Sequence, residues 1–283
     1  ILKYFYIEKS ILKNELGLML KYGLSSVLAA LVQYFFDWED KFIVQYFSGI
    51  EYFGIYSALA RTASIANIVF IVPFAYIWNP IMMEVRTKSN VIKVFKNSIN
   101  IYISIAVLLV IQLVFFSKEI INFLIRSELL PLSQLSMIFI LLITGTLIYG
   151  SINIFSAGIN YSRKIYLSFF IFLFLILFKF IIGFFLIPLY GINGAAITSI
   201  ISYSILIYIF YSLGKIYFTI KFDKFYLKRP LLYILFSLPL SYILSFNIDF
   251  IITRIVFSLI FASVGLCYLT NTWTIKKIAK LDF

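Results

Sequence analysis

The chain has 283 residues, of which 63% are hydrophobic, 20% aromatic and only 13% charged; soluble domains run at roughly 45–50% apolar and about 25% charged, and one water-soluble core of this size cannot cover so much apolar surface, which leaves an integral membrane protein. The net charge of +12 then points to basic loops on one membrane face rather than to nucleic acid. The single Cys267 excludes a disulfide within the chain, and the absence of histidine removes the commonest general base and neutral metal ligand.

The opening "ILKYFYIEKSILKNE" has no signal-peptide layout and reads as an internal basic loop, so the chain is expected to be a fragment. A spanning helix needs about 20 mostly apolar residues, and eight candidates follow. The first, 18–47, encloses "QYFFDWEDKFIVQYF", where Asp37, Glu39, Asp40 and Lys41 interrupt the apolar run. The second, 53–78, carries Arg61. The third is 98–116. After it, "SKEIINFLIRSELLP" predicts a short helix lying at the membrane interface. The fourth is 132–157. The fifth, 165–186, carries Lys179, and the Gly-rich "PLYGING" turns it into the sixth, 193–217. The seventh, 231–246, is short and contains Pro239; the eighth is 250–269. Runs of this length exceed the roughly 10-residue alternating strands of a membrane barrel. The expectation is an all-α membrane protein with about eight spans.

Basic residues alternate with these spans. On one side fall Lys3, Lys9 and Lys13, then Arg86, Lys88, Lys93 and Lys96, then Arg163 and Lys164. Lys215, Lys221, Lys224, Lys228 and Arg229 follow, with Lys276, Lys277 and Lys280 in the tail. The opposite loops hold Lys118 and Arg126. Seventeen against two is a positive-inside pattern that places both terminal segments in the cytoplasm. Trp78 and Trp273 fall at cytoplasmic helix ends, where aromatic belts sit. The outside loops are too small for a catalytic domain, so no enzyme, metal or cofactor is expected.

Charges within the spans are expected to carry function, because each costs at least ~2.5–3.5 kcal/mol at a helix centre. Asp37 and Lys41 are four apart and share a helix face, so they can pair. Arg61 lies about 12 Å into its helix at 1.5 Å per residue. Lys41 is six residues from the outer end of the first helix, at similar depth if the two helices are antiparallel. Lys179 is seven residues before Leu186; it either snorkels outward or serves a site. The cations Lys41, Arg61 and Lys179 are the candidate ligands for an anionic substrate, since Arg keeps its charge and forks onto phosphate. Asp37 and Asp40 are the candidates for ion pairing or ion coupling.

Three stretches carry a resemblance. Asp40-Lys41, the turn Gly49-Ile-Glu51-Tyr-Phe-Gly54-Ile-Tyr56-Ser57 and then Arg61 are similar to the seventh and eighth helices of polysaccharide-biosynthesis flippases, the O-antigen repeat-unit (Wzx-type) exporters. "IPLYGINGAAITSIISY" resembles that family's turn between its eleventh and twelfth helices, and "SKEIINFLIRSELLPLSQL" its external segment between the ninth and tenth. The resemblance implies the multidrug/oligosaccharidyl-lipid/polysaccharide (MOP, MATE-like) transporter fold, here its C-terminal lobe in 1–217 and two additional helices in 218–283, with the N-terminal lobe missing. It implies a transporter of an undecaprenyl-pyrophosphate-linked oligosaccharide in the bacterial inner membrane. Its partners would be that lipid-linked oligosaccharide, membrane lipids and the absent lobe. A multidrug cation antiporter of the same superfamily, using Asp37 and Asp40, is the alternative. A membrane polysaccharide polymerase or ligase ranks lower, for want of histidine and of a large outer loop.

Overall fold

A computed structural model describes residues 9–85, 91–125, 129–162, 164, 166–217, 224–247 and 251–269. All of the secondary structure among them is helical: α1 (Lys9–Ser48), α2 (Ile50–Ala63), α3 (Val72–Val85), α4 (Val91–Phe115), α5 (Ser117–Leu124), α6 (Leu132–Gly150), α7 (Ile152–Phe155), α8 (Ala157–Tyr161), α9 (Tyr166–Tyr190), α10 (Ile192–Tyr217), α11 (Lys224–Asn247) and α12 (Ile251–Leu269). Six stretches among the described residues are long and apolar enough to cross a bilayer: Ile50–Glu84, Val91–Phe115, Leu132–Tyr161, Tyr166–Tyr190, Ile192–Ile216 and Ile251–Leu269. The chain is an all-α membrane protein. The two remaining expected spans are also helical. α1 is long enough but rich in charge, and the apolar part of α11 is only Leu232–Phe246.

Several boundaries differ from the sequence expectation. The first helix already includes Lys9, ahead of the expected start near residue 18, so residues 9–17 of the expected N-terminal loop are helical. Its Leu, Lys and Glu residues are good helix formers. The second span is one bent element rather than a straight helix. Ser64 sits at a turn and its hydroxyl donates to the Arg61 carbonyl at 2.6 Å, and a π-helical stretch, Asn67–Ile71, follows. Pro73, with no N–H and a ring that crowds the preceding turn, explains the widening there. The fourth span is broken at Ser151 and Ser156 into α6, α7 and α8. Ser151 Oγ donates back to the Ile148 carbonyl at 2.7 Å, the kind of local bond that bends helices. α11 runs through Pro239 and gains a turn before residue 231.

The turns behave as the glycines require. Gly49 (φ 90°) joins α1 to α2 and Gly191 (φ 59°) joins α9 to α10, a region open to glycine at little cost. α9 packs on both α1 and α10, α6 packs on α10 and α2, and α11 and α12 lie on α4. Trp78 is a correction. It is 2% exposed, donates its indole N–H to the Asn153 carbonyl at 3.0 Å and packs edge-on against Phe95. It belongs to the core, not to an aromatic belt, because its only polar atom is satisfied by the backbone freed at the α6–α7 break. Lys3, Arg86, Lys88, Arg126, Arg163, Lys221, Trp273, Lys276, Lys277 and Lys280 lie outside the described residues.

Candidate functional site

The charged run of α1 lies inside a continuous helix, as the apolar residues on both sides of it require. One face of that helix, Phe36, Glu39, Asp40, Ile43 and Val44, is buried. The spacing of three and four residues puts these side chains on one stripe. Asp40 stands at its centre, and four helices meet on its carboxylate. The Tyr56 hydroxyl of α2 donates to Oδ2 at 2.5 Å and the Ser199 hydroxyl of α10 donates to the same oxygen at 3.1 Å. The Lys179 ammonium of α9 lies 3.8 Å from Oδ1, which also accepts the Lys41 backbone N–H at 3.0 Å.

Lys179 does not snorkel. Its side chain is 0% exposed and its ammonium donates to the Phe36 carbonyl at 2.7 Å, with the Phe36 ring 4.8 Å below it. Turning inward gives the ammonium a carboxylate, a carbonyl and a ring face. Its charge also acts on Asp37 and Glu39. Asp40 alone is within ion-pair distance of the ammonium among the described residues, with Asp37 and Glu39 beside it on α1. Glu39 is 8% exposed, and among the described residues neither of its oxygens has a hydrogen-bond partner, nor does Oδ1 of Asp37. Tyr149 and Tyr203, whose rings meet at 4.9 Å, close the inner end, and Gln33 donates to the Tyr149 hydroxyl at 2.5 Å.

The expected Asp37–Lys41 pair does not form: no ion pair joins them among the described residues. Lys41 is half-buried and its ammonium lies 3.9 Å over the Trp38 ring. The i, i+3 step to Trp38 offers a cation–π contact that competes with the i−4 carboxylate. Arg61 is exposed on α2 and makes no hydrogen bond or ion pair to Asp37, Asp40, Lys41 or Lys179 among the described residues. The structure thus gathers Asp37, Asp40 and Lys179 and leaves Lys41 and Arg61 at its margin. Tyr56, Ser199 and Glu39 were missed as members; Tyr56 lies in the Gly49–Ser57 turn, and only the fold reveals that it faces Asp40.

A second intramembrane charge was also missed. Arg254 of α12 is 5% exposed and meets Glu119 of α5 at 2.5 Å. The contact joins charges without good alignment, since Arg254 Nε and Nη1 and Glu119 Oε2 lack hydrogen-bond partners. An arginine three residues into an apolar segment was the available signal. Lys118 adds a bond to the Phe246 carbonyl at 3.1 Å, and Gln112 one to the Ser258 carbonyl at 2.9 Å. These polar contacts fix α11 and α12 on α4 and α5.

Residues 4–134 match a family model described as a polysaccharide biosynthesis protein. The matched part runs from α1 into the start of α6, so it includes Asp37, Asp40, Tyr56 and Arg61 but not Lys179 or Ser199. No curated protein and no solved structure matches the chain. The family similarity, borne on a bundle of membrane helices, supports a role in polysaccharide synthesis or export.

Proposed function

We propose that this protein is a flippase that carries an undecaprenyl-pyrophosphate-linked oligosaccharide from the inner to the outer leaflet of the bacterial cytoplasmic membrane. The observation that carries the reading is the polysaccharide-family match across the charged helices α1 and α2. The physical problem is a pyrophosphate and a sugar crossing hydrocarbon, and cations along a wet path lower that cost. Arg61 and Lys41 suit the task, because neither is neutralised by a carboxylate among the described residues. Lys179 is held by Asp40 and the Phe36 carbonyl, so its role is to set the charge of the acidic cluster rather than to meet the phosphate directly. Asp37, Glu39 and Asp40 around it form the natural place for ion coupling. In this reading residues 1–217 act as a transporter lobe of the MOP kind, 218–283 add two helices, both terminal segments face the cytoplasm, and no enzymatic step is involved.

The test is surface polysaccharide in cells that depend on the full-length protein. Arg61→Ala abolishes export at normal membrane level, lipid-linked repeat units accumulate on the inner leaflet, and Arg61→Lys retains part of the activity. Full export by an Arg61→Ala, Lys41→Gln double variant overturns the reading. One observation favours the second reading, a cation antiporter: the surplus of carboxyl groups over Lys179, with Glu39 unpaired. It predicts drug resistance lost in Asp40→Asn cells whose polysaccharide is unchanged.

A further inference from the structure

α10 packs on α6, and α11 on α4, and between them a cavity of about 710 Å³ is left open. Its floor is apolar: Ala106, Val107 and Val110 of α4 with Leu147 and Ile148 of α6. Polar groups collect toward one end, where α10 contributes Tyr208, Tyr211 and, in its last turn, Lys215. Lys215 is exposed, its ammonium lies 4.3 Å over the Tyr211 ring, and it makes no ion pair among the described residues. The charge is thus held at the rim with donors to spare.

The dimensions select a ligand. Ser204 and Lys215 both line the cavity; eleven residues of helix at 1.5 Å each separate them by about 16 Å, about half of a 30 Å hydrocarbon core. The cavity is one leaflet deep. At about 30 Å³ per water-sized group it holds on the order of 20 such groups, the bulk of one lipid chain. The sequence that follows Lys215 is basic, with Lys221, Lys224, Lys228 and Arg229. Basic pockets between membrane helices take anionic headgroups.

We propose that this cavity is a site for one anionic phospholipid, with a chain between α4, α6 and α10 and its phosphate at Lys215. The lipid is resident, not transported. α6 and α10 form a wall between the cavity and the acidic cluster: Tyr149 and Tyr203 face Gln33 and Phe36, while their neighbours Ile148 and Ser204 face the cavity. A polyprenyl chain is far larger than the space. The proposal stands independently of the transport reading.

The test is native mass spectrometry of the full chain released from nanodiscs of equal phosphatidylglycerol and phosphatidylethanolamine. One phosphatidylglycerol is retained with roughly fivefold preference, the gain one basic residue gives near a membrane surface. Lys215→Gln, an exposed site that leaves packing intact, brings the two lipids to parity, and Lys215→Arg restores the preference. Ala106→Phe, which fills the floor, removes the bound lipid of either kind. Retention in the bulk ratio by the unchanged protein, or an unchanged preference in Lys215→Gln, overturns the proposal. Displacement of the bound lipid by added polyprenyl phosphate also overturns it, because the cavity then belongs to the transported molecule.

Discussion

Lys179→Met removes the ammonium beside Asp40 and keeps nearly the same side-chain length. The change leaves the Asp40 carboxylate buried at 6% exposure with the Tyr56 and Ser199 hydroxyls and one backbone N–H, and strips the Phe36 carbonyl of its donor. Breaking a buried pair by removing one partner costs about 3–5 kcal/mol, whereas replacing both partners is often close to neutral. Asp40→Asn alone takes from the ammonium its nearest carboxylate, leaving the Phe36 carbonyl and the Phe36 and Tyr203 ring faces as its direct contacts, and is expected to cost a similar amount. The double variant Asp40→Asn, Lys179→Met is expected to cost at most ~2 kcal/mol, so the pair shows a coupling of several kcal/mol. The assay is equilibrium unfolding in mixed micelles, followed by the fluorescence of Trp38 and Trp78 for all four proteins of the cycle. Strictly additive single and double changes refute the reasoning, since they mean that Lys179 and Asp40 do not feel one another.

A side chain at Gly194 would drive its Cβ into the Leu186 carbonyl, 2.8 Å from the Leu186 carbonyl carbon; Gly194→Leu should therefore lower folded yield in membranes at least severalfold, and normal yield would show that α9 and α10 can part there. Glu119→Gln leaves the Arg254 guanidinium, 6% exposed, without its carboxylate and should cost about 3 kcal/mol, while Glu119→Gln with Arg254→Met should recover most of it; protease resistance of the α11–α12 connection reads the result. Reporter fusions after Lys164 and Lys224 should read cytoplasm, and fusions at Glu51 and Leu189 the outside; a cytoplasmic signal at Glu51 would break the charge alternation on which the topology rests.

The helices were legible because an apolar run of membrane length has few other ways to satisfy its backbone. The eight segments, the glycine turns at Gly49 and Gly191 and the short helix after Phe116 all follow from that rule and from φ > 0 at glycine. Their internal breaks were not, since hydropathy ignores serine back-bonds and proline. Ser64, Ser151 and Ser156 read as small residues in an apolar run, yet each marks a bend. Among the site residues, depth and helix face were legible and partners were not. Lys41 and Asp37 share a face by periodicity, but α9 brings Lys179 to Asp40, and a ring three residues away takes Lys41. Sequence spacing within one helix carries no information about which neighbour will supply the counter-charge. Arg254 escaped for a related reason: near a helix end it passes for a loop residue until Glu119 is seen against it.

The two ion pairs differ in what they hold. Arg254–Glu119 ties α12 to α5, with Glu119 one-third exposed and polar atoms left over, and no hydroxyl bonds to it among the described residues. Asp40 is tied to α2, α9 and α10 at once, by two hydroxyls and an ammonium. A rearrangement that drew α9 away from α1 would take Lys179 from Asp40 and leave on it the Tyr56 hydroxyl of α2. The carboxylate would then keep a hydrogen bond and lose its charge partner, and an arriving cation is what restores that partner. Arriving charge at this point and separation of α1 from α9 are therefore thermodynamically linked: whatever favours one favours the other. A device of this form needs a buried carboxylate with donors on a helix that stays and a cation on a helix that moves. Tyr56 on α2 and Lys179 on α9 give Asp40 a donor and a cation on different helices, which is what the proposed ion coupling asks of this site.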